Sequence, residues 1–246
     1  MNVIEEKVID LHAHLSRDYT AKKYRVDELL EDMRAYPNMR RMISCLDGPV
    51  YLGNLEIEKL VKEYPDRFFG CAVINPKEDD ALEEMKRCIS TGKFKAVELN
   101  SLEHGYIPEI TPNIDELFNL AERNNMFVKV FTGWGDHAMP NQWEYYLKRH
   151  PNTKTVFLHM GEFWDGYSCI EVAKRNRNLY LDMSGMYELS VANRAMRVIP
   201  HERFLFGSLF PNMLTKWSLE FIDAYKLNEE DRNRILYQNA EKLLSL

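Results

Sequence analysis

The stretch that decides the fold runs from residue 127 to residue 161 and reads FVKVFTG-WGDHAM-PNQWEYYLKRH-PNTK-TVFLHMG. Its two ends, residues 127–133 and 155–161, are short apolar runs of the kind that form buried parallel strands. Between them, Pro140 suits the first turn of a helix, apolar residues follow helical spacing, and Pro151 ends the helix. The stretch therefore predicts a strand, a helix and a second strand parallel to the first.

The same alternation runs through the whole chain. Eight apolar runs cover residues 8–14, 41–47, 68–75, 96–100, 127–133, 155–161, 178–185 and 204–210. Windows with helical spacing separate them, and Asn113 followed by Glu116 resembles a capping box. This pattern predicts a (β/α)8 TIM barrel formed as a single domain over residues 1–246. An open doubly wound sheet is the alternative, but it predicts a glycine-rich turn where His12-Ala-His14 stands.

Composition limits the classes of function. The chain holds 38 acidic and 32 basic side chains, and its net charge of −6 argues against a protein that works by neutralising nucleic acid phosphates. The sequence offers no run of about 18 apolar residues that would predict a membrane span. Its first residues lack the basic start and apolar core of a signal peptide. We therefore expect a cytoplasmic protein without a nucleic acid or membrane partner.

The four cysteines, Cys45, Cys71, Cys88 and Cys169, are far apart in the sequence and form no C-x-x-C pair. This spacing argues against a structural zinc site and a thioredoxin-like motif. We expect four reduced thiols, as is usual in a reducing compartment. A nucleophilic cysteine is the alternative.

Histidines stand where two of the predicted strands end. His12 and His14 are two residues apart on the first strand, so their side chains face the same way and can both point into the barrel mouth. His159 ends the sixth run, and active sites of (β/α)8 enzymes form at this end of the strands. Imidazoles are common metal ligands, so the three residues predict a metal-binding cluster. Hydrogen-bonded core histidines are the alternative.

Glu98 is a carboxylate within the apolar fourth run. Because burial of an unpaired carboxylate is costly, Glu98 needs a metal, a hydrogen-bond network or a cation. A salt bridge to Lys95 or Lys129 would meet this need as well as a metal would. Asp182, at the end of the seventh run, raises the same question.

Several motifs in order along the chain point to one family. They are Asp10-Leu-His12-Ala-His14, Ser44-Cys-Leu-Asp47-Gly-Pro49, Asn75-Pro76, Phe131-Thr-Gly133-Trp, Phe157-Leu-His159-Met-Gly161, Phe206-Gly-Ser208-Leu-Phe-Pro211 and Ile235-Leu-Tyr-Gln-Asn239-Ala240. In their order and spacing, which span nearly the whole chain, the sequence resembles the amidohydrolase superfamily. The similarity is to the branch of amidohydrolase-related TIM-barrel proteins that includes the aminocarboxymuconate-semialdehyde decarboxylase type.

The resemblance implies a divalent metal, usually zinc, bound by His12 and His14. It implies that His159 is a further ligand or an acid and base beside the metal. Glu98 matches a fourth-strand position from which some members of the superfamily hold metal. The implied chemistry is attack by a metal-activated water, or decarboxylation, on a small carboxylated or amide-like substrate.

Two positions depart from the family pattern. Phe131 stands where the family has a fifth-strand histidine, and Leu209 stands where it has an eighth-strand aspartate. Neither side chain can ligate a metal or move a proton. The remaining donors are the two first-strand histidines, Glu98 and His159, which would hold the metal weakly or not at all, with His137 as another candidate.

Three functions are compatible with these residues. The first is a metal-dependent hydrolase or decarboxylase in which His159 and Glu98 are catalytic. The second is a catalytically degenerate barrel that binds a metabolite or a protein partner. The third is a metal-free enzyme that moves protons through His159 with Glu98 or Asp182. We favour an enzyme with a small-molecule substrate, because a polar cluster at a barrel mouth is typical of a reaction site. Exposed aromatic residues on the outer helices would allow a homodimer.

Overall fold

Eight parallel strands form a barrel in the computed structural model, which describes residues 4–186 and 188–246. The barrel strands β1 to β8 are Val8–His14, Met39–Ser44, Phe68–Val73, Phe94–Leu99, Phe127–Phe131, Thr155–Leu158, Leu179–Asp182 and Phe204–Leu205. Each strand pairs in parallel with the next along the chain. The chain after β8 then bonds to β1, with Leu11 N donating to Phe206 O at 2.9 Å and His14 N to Phe210 O at 2.7 Å. The predicted TIM barrel is confirmed, and the open sheet is wrong.

A helix follows every strand of the barrel. Helices α1 to α8 are Val26–Arg34, Val50–Glu63, Ala81–Thr91, Ile114–Arg123, Pro140–Arg149, Glu162–Arg175, Leu189–Val198 and Thr215–Ala224. Three helical segments complete the chain, Glu229–Asn233, Arg234–Gln238 and Asn239–Leu244. Short 3-10 turns lie at Pro108–Ile110, His159–Gly161 and His201–Arg203, and Arg17–Asp18 pairs with Lys23–Tyr24 in a small ribbon. None of the helices within the described ranges combines the length and apolar composition needed to cross a membrane.

Helix starts agree only in part with the sequence signals. Pro140 occupies the first turn of α5, as predicted. The capping box predicted at Asn113 and Glu116 is wrong, because Asn113 takes a left-handed conformation with φ of 68° and its side chain makes no capping bond. The Asn113 amide instead donates to the carbonyl oxygen of Pro76 at 3.0 Å, which ties the start of α4 to the loop after β3.

The barrel has an inner core that closes one end. Its buried members are Ile9, Leu11, Met42, Phe69, Cys71, Ala96, Phe127, Val156, Leu158 and Leu205 from the strands, with Ala240, Leu243 and Leu244 from the last helix. The last helix therefore covers the end at which the strands begin. Polar side chains lie at the carboxyl ends of the strands, where (β/α)8 enzymes have their active sites.

An irregularity in β1 turns its histidines inward. Ile9 and Leu11 belong to the inner core, so strict alternation of side chains would point His12 outward. The register between β1 and β2 shifts between Asp10 and Ala13. Such a bulge re-aims the side chains that follow it, and here it brings His12 and His14 to the barrel interior.

All four cysteines are buried and unbridged. Burial raises the pKa of the Cys45 and Cys71 thiols to about 12. Burial likewise raises the pKa of Cys88 and Cys169 well above the ordinary value. Since only the thiolate is a good nucleophile, the cysteines are thiols of the core and the nucleophilic alternative loses its support.

Candidate active site

His12, His14 and Glu98 meet at the carboxyl end of the barrel. The two histidines end β1 and Glu98 lies next to the last residue of β4. His14 Nε2 lies 3.5 Å from Glu98 Oε1, and His12 Nδ1 lies 4.0 Å from Glu98 Oε2. All three side chains are buried.

His159 joins this group from the end of β6. Its ring centroid lies 4.9 Å from that of His12 and 5.2 Å from that of Phe131. The backbone of His159 is left-handed, with φ of 61°, which is uncommon for a residue other than glycine. The structure thus brings together all four residues that the sequence proposed as metal ligands. Their donor atoms form two groups within 4.8 Å, one of His12, His14 and Glu98 and one of His12, His159 and Asp182.

Glu98 uses its two oxygen atoms differently. Oε2 accepts hydrogen bonds from Ser44 Oγ at 2.8 Å and from Lys129 Nζ at 3.2 Å, while Oε1 faces His14. Burial by itself raises the pKa of Glu98, but the Lys129 ammonium and the contact with His14 outweigh burial and hold the pKa well below its usual range. Glu98 is therefore an ion at neutral pH. Of the two lysines suggested as partners, Lys129 makes the contact and Lys95 is exposed.

The hydrogen bonds of His159 define its tautomer. Nδ1 lies 3.1 Å from the carbonyl oxygen of Ser184, which can only accept, so Nδ1 must carry the proton. Ser184 Oγ lies 3.0 Å from the same nitrogen and donates its own proton to Asp182 Oδ2. The second ring nitrogen, Nε2, is then left with a lone pair that can bind a metal or accept a proton.

Burial keeps the imidazoles of His159 and His12 neutral and makes the carboxyl group of Asp182 a weaker acid than usual. Burial lowers the pKa of His159 to about 4 and lowers that of His12 well below its usual value, so both are neutral imidazoles at pH 7. Burial raises the pKa of Asp182 to about 6, although Ser184 and the backbone N–H of His159 donate to it. Gly207 makes room for this carboxylate, because an added Cβ there would overlap Asp182 Oδ1.

A divalent metal fits the donors that remain. His12 Nδ1 and Nε2, His14 Nε2 and Glu98 Oε1 are buried and have no hydrogen-bond partner within residues 4–186 and 188–246. Buried polar atoms normally have a bonding partner, so these four atoms indicate a site for a ligand such as a metal ion. Neutral imidazole nitrogens and a carboxylate oxygen are the ligand types that zinc accepts, and three protein ligands are typical of its catalytic sites.

A buried ion pair supports the base of the site. Asp10 Oδ2 lies 2.7 Å from Arg41 Nε on β2, and both side chains are fully buried. Asp10 Oδ1 accepts from the backbone N–H groups of His12 at 3.1 Å and Ser208 at 2.9 Å. The pair therefore connects β1 and β2 to the chain after β8, and it holds the backbone of His12.

Sequence reasoning missed several residues of the site. Ser44 and Ser184 gave no signal beyond lying at strand ends, and Lys129 was considered only as an alternative partner for Glu98. Ser44 ends β2 and Ser184 follows β7, so the rule that the carboxyl ends of barrel strands converge would have found both. Lys129 lies in the middle of β5, and its contact with Glu98 depends on the register of β4 against β5.

The other candidates lie elsewhere. His137 is exposed in the loop after β5 and belongs to neither donor group. Leu209, with φ of 58°, follows β8 beside Gly185. Trp134 and Trp164 are exposed at the rim, where they line a cavity of about 420 Å³ between the loop after β5 and the start of α6.

A larger cavity lies at the opposite end of the barrel. Its volume is about 650 Å³, and its lining includes Phe94 and Phe127, which begin β4 and β5, and Leu243 of the last helix. Histidines, Glu98 and Asp182 are not among the residues that line it. Cavity volume alone therefore does not identify the candidate site. The cluster of polar side chains at the carboxyl ends of the strands identifies it.

Comparisons with known proteins agree with this architecture. Residues 9–246 match the model of the amidohydrolase family. A curated relative, gamma-resorcylate decarboxylase from Rhodococcus jostii (strain RHA1), is 22% identical over 277 residues, covering 85% of this chain and 84% of the relative.

Two solved structures illustrate the likeness in fold. An uncharacterized TIM-barrel protein from Bordetella bronchiseptica has 21% identity and a TM-score of 0.80, with 98% of this chain and 99% of that one covered. The 5-carboxyvanillate decarboxylase of Sphingomonas paucimobilis has 13% identity and a TM-score of 0.75, with 98% and 99% covered.

The chain belongs to the amidohydrolase family, since the family model spans almost its whole length. Members of this family are metal-dependent hydrolases and decarboxylases. The family resemblance inferred from the sequence motifs is thereby confirmed. A bound metal is typical of the family, and the cluster of His12, His14 and Glu98 could hold one.

Proposed function

We propose that this protein is a hydrolase or decarboxylase that uses a divalent metal, zinc, to act on a small carboxylated substrate. The observation that carries the proposal is the set of buried, unsatisfied donor atoms on His12, His14 and Glu98 at the barrel mouth. The family supports the reaction class. The curated relative is named as a decarboxylase of a carboxylated compound, which supports the substrate class over an amide.

In this proposal the chain supplies the metal with three ligands. His12 and His14 offer imidazole nitrogens and Glu98 offers Oε1, while the ring of His159 lies beside that of His12. A metal at this place would polarise a substrate oxygen or lower the pKa of a bound water. The fixed carboxylate of Glu98 balances part of the positive charge, because its other oxygen is already held by Ser44 and Lys129.

His159 is the residue that we assign to proton transfer. Its Nδ1 proton is held by Ser184, so Nε2 is the atom that accepts a proton from substrate or water and later returns it. Burial lowers the pKa of His159, so the imidazole is neutral at pH 7 and its Nε2 lone pair is not protonated. The catalytic role predicted for Glu98 is then electrostatic, since its Oε2 already accepts two hydrogen bonds.

A binding barrel without catalysis is the second candidate. Its support is the apolar character of Phe131 and Leu209, which stand at the mouth where further ligands would be expected. A metal-free enzyme working through His159 with Asp182 is the third, and the contacts among His159, Ser184 and Asp182 favour it. The homodimer and the cytoplasmic location also stay predictions.

Metal content separates these functions. We expect purified protein to hold close to one equivalent of zinc by elemental mass spectrometry, and the His12→Ala/His14→Ala variant to hold less than about a tenth. His137→Ala is the matched control, because this histidine is exposed and outside the donor groups. Wild-type protein that stays without metal after incubation with Zn²⁺ and Mn²⁺ contradicts the proposal. A ligand that raises its melting temperature would then support the binding barrel, and turnover that resists chelators would support the metal-free enzyme.

A further inference from the structure

Lys129 is a fully buried lysine in the interior of the barrel. It lies on β5 directly beside Glu98 of β4 in the parallel register, and its Nζ is 3.2 Å from Glu98 Oε2. Both side chains have no solvent exposure. This hydrogen bond is the one that Nζ makes within the described parts of the chain. A buried ammonium requires such a partner, because water cannot reach it.

The contact with Lys129 gives the two oxygen atoms of Glu98 different roles. Lys129 and Ser44 both donate to Oε2, which fills that oxygen. Oε1 faces His14 at 3.5 Å and has no hydrogen bond within residues 4–186 and 188–246. A metal can therefore bind only through Oε1, while the lysine keeps its place on the other oxygen of the same group.

We propose that Lys129 is an internal counter-cation of Glu98, which competes electrostatically with the metal and sets its affinity for the site. This inference rests on the proposed function, in which His12, His14 and Glu98 hold the metal. Without metal, the ammonium neutralises the buried carboxylate and keeps the barrel stable. With metal, two cations share one carboxylate in a medium of low dielectric constant, and their repulsion weakens metal binding.

The arrangement suits a chain in which Phe131 and Leu209 occupy the mouth. With few ligands for the metal, a barrel that depended on metal to neutralise Glu98 would be destabilised whenever the metal left. Lys129 removes that dependence. The same residue makes the metal exchangeable, and the affinity is weaker than His12, His14 and Glu98 would give alone.

The test replaces Lys129 by methionine, which keeps the length of the side chain and removes its charge. Zinc affinity is measured at pH 8 by competition with a chromophoric chelator, and thermal unfolding is followed with and without zinc. We expect Lys129→Met to bind zinc at least ten-fold more tightly than wild type. We also expect a lower Tm without zinc and a larger rise in Tm on adding it. Lys95→Met, an exposed lysine on β4, is the control and should match wild type.

Each outcome decides the proposal. An equal or weaker zinc affinity in Lys129→Met overturns it and leaves the proposed function standing, provided that wild type binds zinc and His12→Ala/His14→Ala does not. Zinc binding by Lys129→Met where wild type binds none supports the role of Lys129 in setting the zinc affinity and contradicts the proposed metal-dependent function. If neither protein binds zinc, both proposals fail. Should Lys129→Met not fold, Lys129→Gln gives the same comparison, because its amide can still donate to Glu98 without a charge.

Discussion

His159 owes its orientation to one serine in the turn after the neighbouring strand, β7. The carbonyl oxygen and hydroxyl group of Ser184 both lie within 3.1 Å of His159 Nδ1. Asp182 fixes the direction of the hydroxyl proton and also accepts from the backbone of His159 at 3.3 Å. Groups of this kind, behind a metal ligand or a base, set its tautomer and direct its lone pair. The chemistry proposed for His159 is thus determined by residues that do not themselves face the substrate.

Leu209 lies at the mouth in a backbone conformation that leucine tolerates poorly. Its φ of 58° is left-handed, a region in which aspartate and asparagine are several-fold more common than branched apolar residues. We expect Leu209→Asp to keep the stability of the wild type to within about 1 kcal/mol and to bind zinc about ten-fold more tightly, because it adds a carboxylate to the donors. Calorimetric titration of the metal-free protein with zinc measures the change.

Leu209→Asn is the matched control for this prediction. It has the same backbone preference and nearly the same shape as the aspartate, but it carries no charge. Its zinc affinity should therefore stay close to that of the wild type. A similar gain in both variants would attribute the effect to relaxed backbone strain, and no gain in either would mean that residue 209 does not reach the metal.

At the level of elements, the ion pairs and hydrogen bonds of Arg41 join β1 and β2 to each other and to helices α1 and α8. Arg41 contacts Asp10 at 2.7 Å, and its Nη2 donates to Asp32 of α1 and Thr215 of α8. We expect Arg41→Met to lower the free energy of unfolding by about 3–5 kcal/mol, because it leaves a buried carboxylate without its cation. Urea denaturation followed by circular dichroism measures the loss.

The companion variant distinguishes loss of a charge from loss of packing. In Asp10→Asn/Arg41→Met both buried charges are gone, so the destabilisation should be clearly smaller than in Arg41→Met alone. If the double variant is less stable than the single one by the full cost of a second substitution, the ion pair contributes nothing by its charge. The Lys95→Met control should change stability by less than about 0.5 kcal/mol.

The sequence predicted the elements better than their contacts. Each of the eight apolar runs overlaps a strand, since buried parallel strands are apolar throughout, although the runs at residues 41–47 and 96–100 begin later than the strands Met39–Ser44 and Phe94–Leu99. The inward turn of His12 depends on a bulge between Asp10 and Ala13, which a pattern of alternation cannot reveal. The capping signal at Asn113 failed because its backbone is left-handed, whereas a capping residue is usually extended, and its Nδ2 donates to the Pro76 carbonyl.

The sequence predicted which residues form the candidate site, but it did not predict the contacts among them. Convergence of strand ends was enough to place His12, His14, Glu98 and His159 together. The choice between metal and lysine for Glu98 could not be made from the sequence, because it depends on the register of β4 against β5. In the structure Lys129 donates to Oε2 of Glu98, and Oε1 remains available to a metal.

On the scale of the whole molecule, the stability of the outer helices depends on pH through another carboxylate. Glu144 of α5 accepts two hydrogen bonds from Arg175, both at 2.9 Å, and one from Asn176 at 3.0 Å. Arg175 closes α6, so these bonds hold two neighbouring helices together. The hydrogen bonds of Arg175 lower the pKa of Glu144 to about 2, against the opposing effect of burial.

The sign of the pH effect follows from this lowered pKa. The unfolded chain binds a proton to Glu144 more readily than the folded chain does, so acid favours unfolding. The stabilisation by Glu144 is complete above its ordinary pKa of 4.5 and is lost as the pH falls toward about 2. We expect Glu144→Gln to be less stable than wild type by about 1–2 kcal/mol at pH 7, a value reduced for the solvent that reaches Arg175.

Urea denaturation of both proteins between pH 7 and pH 3 measures this difference. The gap between wild type and Glu144→Gln should stay constant down to about pH 5 and shrink below it, because wild type then takes up the proton that glutamine mimics. Glu171→Gln is the control, since Glu171 pairs with Lys174 at the exposed surface of α6 and such pairs contribute little. A gap that is the same at pH 7 and pH 3 would mean that the charge of Glu144 does not stabilise the contact between α5 and α6. The loss would then come from the shape of the side chain alone.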